Sequence, residues 1–149
     1  MRLDLDRLTA KRQFINDNLA FLRELAAMDE VVFVNDRRSF YAAVHALQIS
    51  IEAMLDIFAH IVARLHLGIP RNDRETLEAL RDKSEISQER FERYFEMSKF
   101  RNKVVHGYID VNAPRVYQIL QNELGDFDLF FADVKHIIEQ EQARKANDG

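Results

Sequence analysis

Eight apolar side chains recur at alternating steps of four and three residues: Phe40, Val44, Leu47, Ile51, Met54, Phe58, Ile61 and Leu65. That spacing closes on one stripe of an α-helix and on neither face of a strand. It predicts a helix from about Asp36 to His66, roughly 46 Å long at 1.5 Å per residue. Asn35 or Asp36 is placed to cap it. The same period recurs along the chain. Leu8, Ile15, Leu19, Leu22 and Ala26 predict a helix from about Asp6 to Met28. A short helix is expected over about Asp73 to Lys83, and another from Ser87, its N-cap, to about Val105. A fifth follows Asn112, with Pro114 tolerated in its first turn and Val116, Leu120, Phe127, Phe131, Val134 and Ile138 as its seam. Gly125 is placed to bend it, and the tail from Ala143 to Gly149 is expected to fray. Only four Gly and two Pro interrupt the 149 residues. The reading is all-α: one domain over residues 1–149, an up-down bundle of four to five helices.

Composition excludes several classes. Apolar residues make up 47% of the chain, too many for a disordered one. There is no cysteine, hence no disulfide, no thiol nucleophile and no Cys-ligated zinc. The longest run without Asp, Glu, Lys or Arg is Ser39 to Ile51, 13 residues, too short to cross a bilayer. The start, MRLDLDR, carries alternating charge and no apolar signal region, so a cytoplasmic protein without a membrane partner is expected. The net charge of -4 argues against indiscriminate coating of nucleic acid but leaves room for a local basic site.

Two helices break their own patterns. From Ser39 to Ala63 there are 25 residues and two charges, Glu52 and Asp56, one turn apart and opposite the Phe40–Leu65 seam. Tyr41, His45, Gln48 and His60 share their face, and small alanines flank it. A helix this apolar all round is expected to be covered on both sides, which points to a homodimer; a solvated polar stripe is the plainer alternative. On the helix after Ser87, Arg101 falls inside the apolar arc, between Tyr94 and Met97. A guanidinium stays charged in a protein, so it needs a carboxylate or a ligand anion. Glu52 and Asp56 are the candidates within the chain.

The segment Arg101-Asn102-Lys103-Val104-Val105-His106-Gly107-Tyr108 then gathers Arg, His and Tyr just before a glycine. Imidazole exchanges protons at neutral pH, and a guanidinium stabilises charge on a phosphoryl group. In a continuous helix Arg101 and His106 would point about 140° apart. The pair therefore requires the helix to end near His106, or a second subunit. Between Arg90 and Lys103 five basic residues face two acidic ones, a local excess of +3 that could attract RNA.

These residues resemble the signature of the HEPN superfamily, in its HepT-like branch: Arg, four residues, His, one residue, Tyr. The likeness extends to Leu47-Gln48, Ile51-Glu52-Ala53, Asp56-Ile57 and His60-Ile61, to Gly68-Ile69-Pro70, to Phe100-Arg101-Asn102, and to Asp110, Val116-Tyr117 and Ile119-Leu120. It covers about Asp36 to Ile138. It implies a homodimeric helical bundle with the two motifs facing each other across a cleft. It further implies the toxin of a toxin–antitoxin pair, cleaving RNA (tRNA or mRNA) without a metal or cofactor. By position Arg101 and His106 would be the catalytic pair, with Asn102 and an inner-helix acid, Glu52 or Asp56, supporting them. Tyr108 would accept AMP from a cognate minimal nucleotidyltransferase, the antitoxin.

Two other readings compete. One is a catalytically inactive helical dimer that only binds the nucleotidyltransferase; an intact Arg101/His106 pair argues against it. The other is a cation site on Glu52, Asp56 and His60. Di-iron bundles use paired Glu-x-x-His motifs, and the chain has none, nor a His-Glu-x-x-His or a phosphate-binding glycine loop. His45, His60, His66 and His136 are read as structural.

Overall fold

Short polar side chains set where the helices begin. Asp4, Asp36, Asn72, Ser87 and Asn112 each accept a hydrogen bond from a backbone N–H in the first turn that follows. In the computed structural model, which describes residues 3–107 and 111–148, the helices are α1 (Leu5–Ala26), α2 (Glu30–Asn35), α3 (Arg37–Arg64), α4 (Asp73–Asp82), α5 (Gln88–Val105), α6 (Ala113–Asn122) and α7 (Gly125–Asp148). Two of them stop in the same way. His66 and Ser84 adopt the left-handed conformation, with φ of 55° and 59°. The next N–H, of Leu67 or Glu85, reaches back to the carbonyl of Val62 or Leu80 at 3.0 and 2.8 Å.

The all-α class is as the periodicity predicts, but the helices are seven among the described residues, not four or five. A separate short helix, α2, precedes α3. The expected fifth helix is two: the chain turns at Glu123 and Leu124, and Gly125 opens α7 instead of bending a continuous helix. The tail expected to fray is helical as far as Asp148. Arg144 ties it down, reaching Glu85 at 3.4 Å and Glu141 at 3.7 Å.

α3 is the centre of the bundle and packs against α1, α2, α4, α5 and α6. It is long and apolar enough to cross a membrane, yet 67% of its most apolar stretch is buried inside the bundle. Phe58 of α3 meets Tyr94 of α5 and Phe130 of α7, ring centres 5.1 and 5.0 Å apart. Burying rings of this size contributes roughly 1.5–3 kcal/mol each. The Tyr94 hydroxyl donates to Asp133, which also takes Arg90 at 3.1 Å. This clip joins α5 to α7, and burial together with Asp133 holds the Tyr94 phenol far above its usual range.

The second face of α3 is only partly covered among the described residues, with α1 lying along its acid-bearing side. Tyr41, His45 and Asp56 are exposed, and Glu52 is half-buried. His60 is the exception. It is buried, and its Nε2 accepts the Asp4 N–H at 3.0 Å. Burial, with the nearby Arg64 and Arg7, holds its pKa below the usual 6.5, against a smaller opposing pull from Asp4. In the unfolded chain His60 takes up a proton near pH 6.5; in the fold it does so only at lower pH. Its contribution is therefore complete above 6.5 and is lost as pH falls below it. Thermal melts from pH 7.5 to 5 should show a decline in stability that is smaller in His60→Gln.

Candidate functional site

The site is built on the last turns of α5. Glu89 in the first turn and Lys103 in the last complement the helix dipole, while Phe91, Tyr94 and Ser98 are buried. The helix ends at His106, whose N–H still reaches Asn102 O at 3.0 Å. Gly107 follows with φ of +70°, donating to Val104 O at 3.1 Å. The helix thus stops near His106, but His106 itself keeps a helical conformation, so the turn at Gly107 does not by itself bring its side chain round to the Arg101 side; a second subunit is the other route to such a pair. A Cβ on Gly107 would meet nothing within 4 Å, so the cost of adding one is conformational. Gly107→Ala should destabilise the protein by about 1–2 kcal/mol, with Gly107→Asn costing less, as read by thermal unfolding.

Arg101 is half-buried, and its Nη2 donates to a carboxylate oxygen of Asp73, the first residue of α4. Its Nε is buried without an acceptor. The wheel reading that Arg101 needs an acid is therefore met, but by neither candidate on α3. Glu52 accepts from Gln48 at 3.1 Å, and Asp56 pairs with Lys11 of α1 at 3.4 Å. Both line an open depression between α1 and α3 with Ala10, Lys11 and Phe14. The reason is packing: α4 covers the α5 arc from which Arg101 projects, whereas the acid-bearing side of α3 turns towards α1. Sequence reasoning missed Asp73 because an acid in a first helical turn, here with Glu75 beside it, reads as a partner of the helix dipole.

His106 and Asn102 are exposed at the α5 terminus. Tyr108 and Asp110 lie outside the described residues. The local basic excess is largely answered within the chain: Arg90 meets Asp133, Arg93 meets Asp126, Lys99 meets Glu96 and Arg101 meets Asp73. On the other side of α5, Lys99, Phe100 and Lys103 border a small cavity closed by Val111 and Arg115. Glu52, Asp56 and His60 do not converge on a common point; each has a different partner. Among the described residues no cluster of three or more His, Asp or Glu is arranged to hold a metal ion.

An arginine backed by an acid and an exposed imidazole at the same helix end can grip a phosphate and move a proton. Several known proteins resemble this chain over most of its length. The family described as Ribonuclease HepT-like matches residues 15–134. The mRNA nuclease HepT of Shewanella oneidensis is 28% identical over 124 residues, 83% of this chain and 84% of that protein. The solved structure of a tri-AMPylated Shewanella oneidensis HEPN toxin in complex with MNT antitoxin superposes with a TM-score of 0.81 at 27% identity, covering 88% of this chain and 98% of that one. A toxin–antitoxin structure with AMP-PNP matches with the same score, identity and coverage. With the match spanning α3, α4 and α5 whole, the chain belongs to the HepT-like ribonuclease family.

Proposed function

We propose that this chain is a metal-independent endoribonuclease toxin that acts as a homodimer through Arg101 and His106. A cognate minimal nucleotidyltransferase silences it by AMP transfer to Tyr108. The observation that carries this reading is the α5 terminus. There a guanidinium held by a carboxylate and an exposed imidazole lie five residues apart, and α5 ends at Val105 with His106 as its cap. The relatives supply the rest: one is named an mRNA nuclease, another is an AMPylated toxin bound to its antitoxin class.

RNA carries its own nucleophile. The 2′-hydroxyl attacks the adjacent phosphorus while neutral His106 takes its proton. Arg101 donates to a non-bridging oxygen of the crowded phosphorane, where charge accumulates. The P–O5′ bond then breaks, and the imidazolium returns the proton to the departing 5′-oxygen. The products are a 2′,3′-cyclic phosphate and a 5′-hydroxyl. Asn102, exposed one residue beyond Arg101, supplies an amide for the RNA backbone. The homodimer draws support from Val105, 52% exposed beside His106. It is an apolar contact that a two-fold axis at this end of α5 would cover.

The test is direct. Purified protein is incubated with a tRNA pool and with mRNA, with and without EDTA. Cleavage should be equal in both and leave cyclic phosphate ends. Loss of cleavage in EDTA overturns the metal-free chemistry. RNA left intact in every arm favours the inactive binding module.

A further inference from the structure

We infer that Asp73 is the positioning residue for Arg101, holding the guanidinium in the direction from which it meets the substrate phosphate. This rests on the proposed role of Arg101 in RNA cleavage. The contact itself is an ion pair between the α5 guanidinium and the first residue of α4. The Arg101 side chain is 21% exposed. A charge covered to that extent does not stay in place without a counter-charge; it would swing out to water.

The acid stands on a fixed platform. Asn72 caps α4 with its own side chain, accepting the Glu75 N–H at 2.9 Å, so the Asp73 carboxylate is not used for capping. Thr76, Leu77 and Leu80 are buried behind it. Arg74 lies over the Phe95 ring at 5.1 Å and Arg81 over Phe91 at 4.5 Å, so two cation–π contacts clamp α4 onto α5. The start of α4 also favours an acid through its N–H dipoles.

The form of the pair separates positioning from simple bracing. An arginine that only braces two helices commonly engages a carboxylate with two parallel donors. Here one arm, Nη2, meets Asp73, and Nε is buried without an acceptor. The guanidinium is thus held by one end through Nη2, and it is the exposed part of the side chain, not the buried Nε, that a further ligand can reach. A second anion approaching from the solvent side, where Asp73 is itself 38% exposed, meets the exposed edge of a guanidinium already fixed in direction. A phosphate oxygen is such an anion.

The experiment uses the full chain and an RNA that the wild type cleaves. Asp73→Asn, Asp73→Glu, Arg101→Lys, Arg101→Ala and the double variant Asp73→Asn/Arg101→Lys are compared, with thermal melts alongside. Asp73→Asn should lose roughly 10- to 100-fold in kcat with KM changed less than threefold, and Asp73→Glu should recover part of it. In the Arg101→Lys background the same Asp73→Asn change should cost less than threefold, because the geometry it protects is already gone. The inference is overturned if Asp73→Asn cleaves within twofold of wild type, or if it costs the same factor in both backgrounds, as a purely structural role would. A dead Arg101→Ala with an unimpaired Asp73→Asn removes only the positioning role. An Arg101→Ala that cleaves normally removes the reading of Arg101 on which the inference stands.

Discussion

His106→Ala is expected to cleave RNA about 10²–10⁴-fold more slowly than the wild type, the usual worth of a positioned acid–base group. The fold should survive. His106 is exposed, lies past the last residue of α5 and adds nothing to the core. Arg101→Ala is expected to lose a comparable factor, because it withdraws the guanidinium proposed to stabilise the phosphorane. That variant leaves Asp73 without its guanidinium, but Asp73 is partly solvated and water can take over. Losses in the double variant should not multiply, since both residues serve one transition state. The measurement is initial cleavage rate on one RNA, with helix content and melting temperature as controls. If His106→Ala cuts as fast as wild type, the proton-transfer role assigned here is wrong.

Tyr108→Phe is expected to switch the protein from controlled to uncontrolled. Tyr108 lies outside the described residues, two positions beyond His106 and just past the Gly107 stop. An AMP on its hydroxyl would carry a phosphodiester anion and a purine to the neighbourhood where the substrate phosphate binds. Arg101 would then pair with the attached phosphate in place of RNA, and the purine would add bulk. The phenylalanine variant has no hydroxyl to receive AMP. It should keep its cleavage rate, show no added AMP by intact mass in the presence of the nucleotidyltransferase and ATP, and remain toxic when the two are co-expressed. A tyrosine with only a packing role gives the opposite pattern: lower stability and intact neutralisation.

The helices were legible because their causes are local. A seam such as Phe40 to Leu65 and caps such as Asp36, Ser87 and Asn112 lie within a few residues of the backbone they organise. So does the stop at His106, announced by Gly107. The periodicity did not separate α2 from α3, because a six-residue helix with two exposed valines has too few turns to set a period. It also read Gly125 as a bend in one helix where the chain starts a new one, since a single glycine serves equally for either. The wheel placed Arg101 on an apolar arc and so demanded an acid. Which acid answers depends on which helix lies across that arc, and pair contacts between helices are not encoded in the spacing of either one. Packing laid α4 there, turned Asp56 towards Lys11 and left Glu52 to Gln48, so the charge that balances the motif arginine comes from Asp73, a residue whose own surroundings in the chain say nothing about RNA.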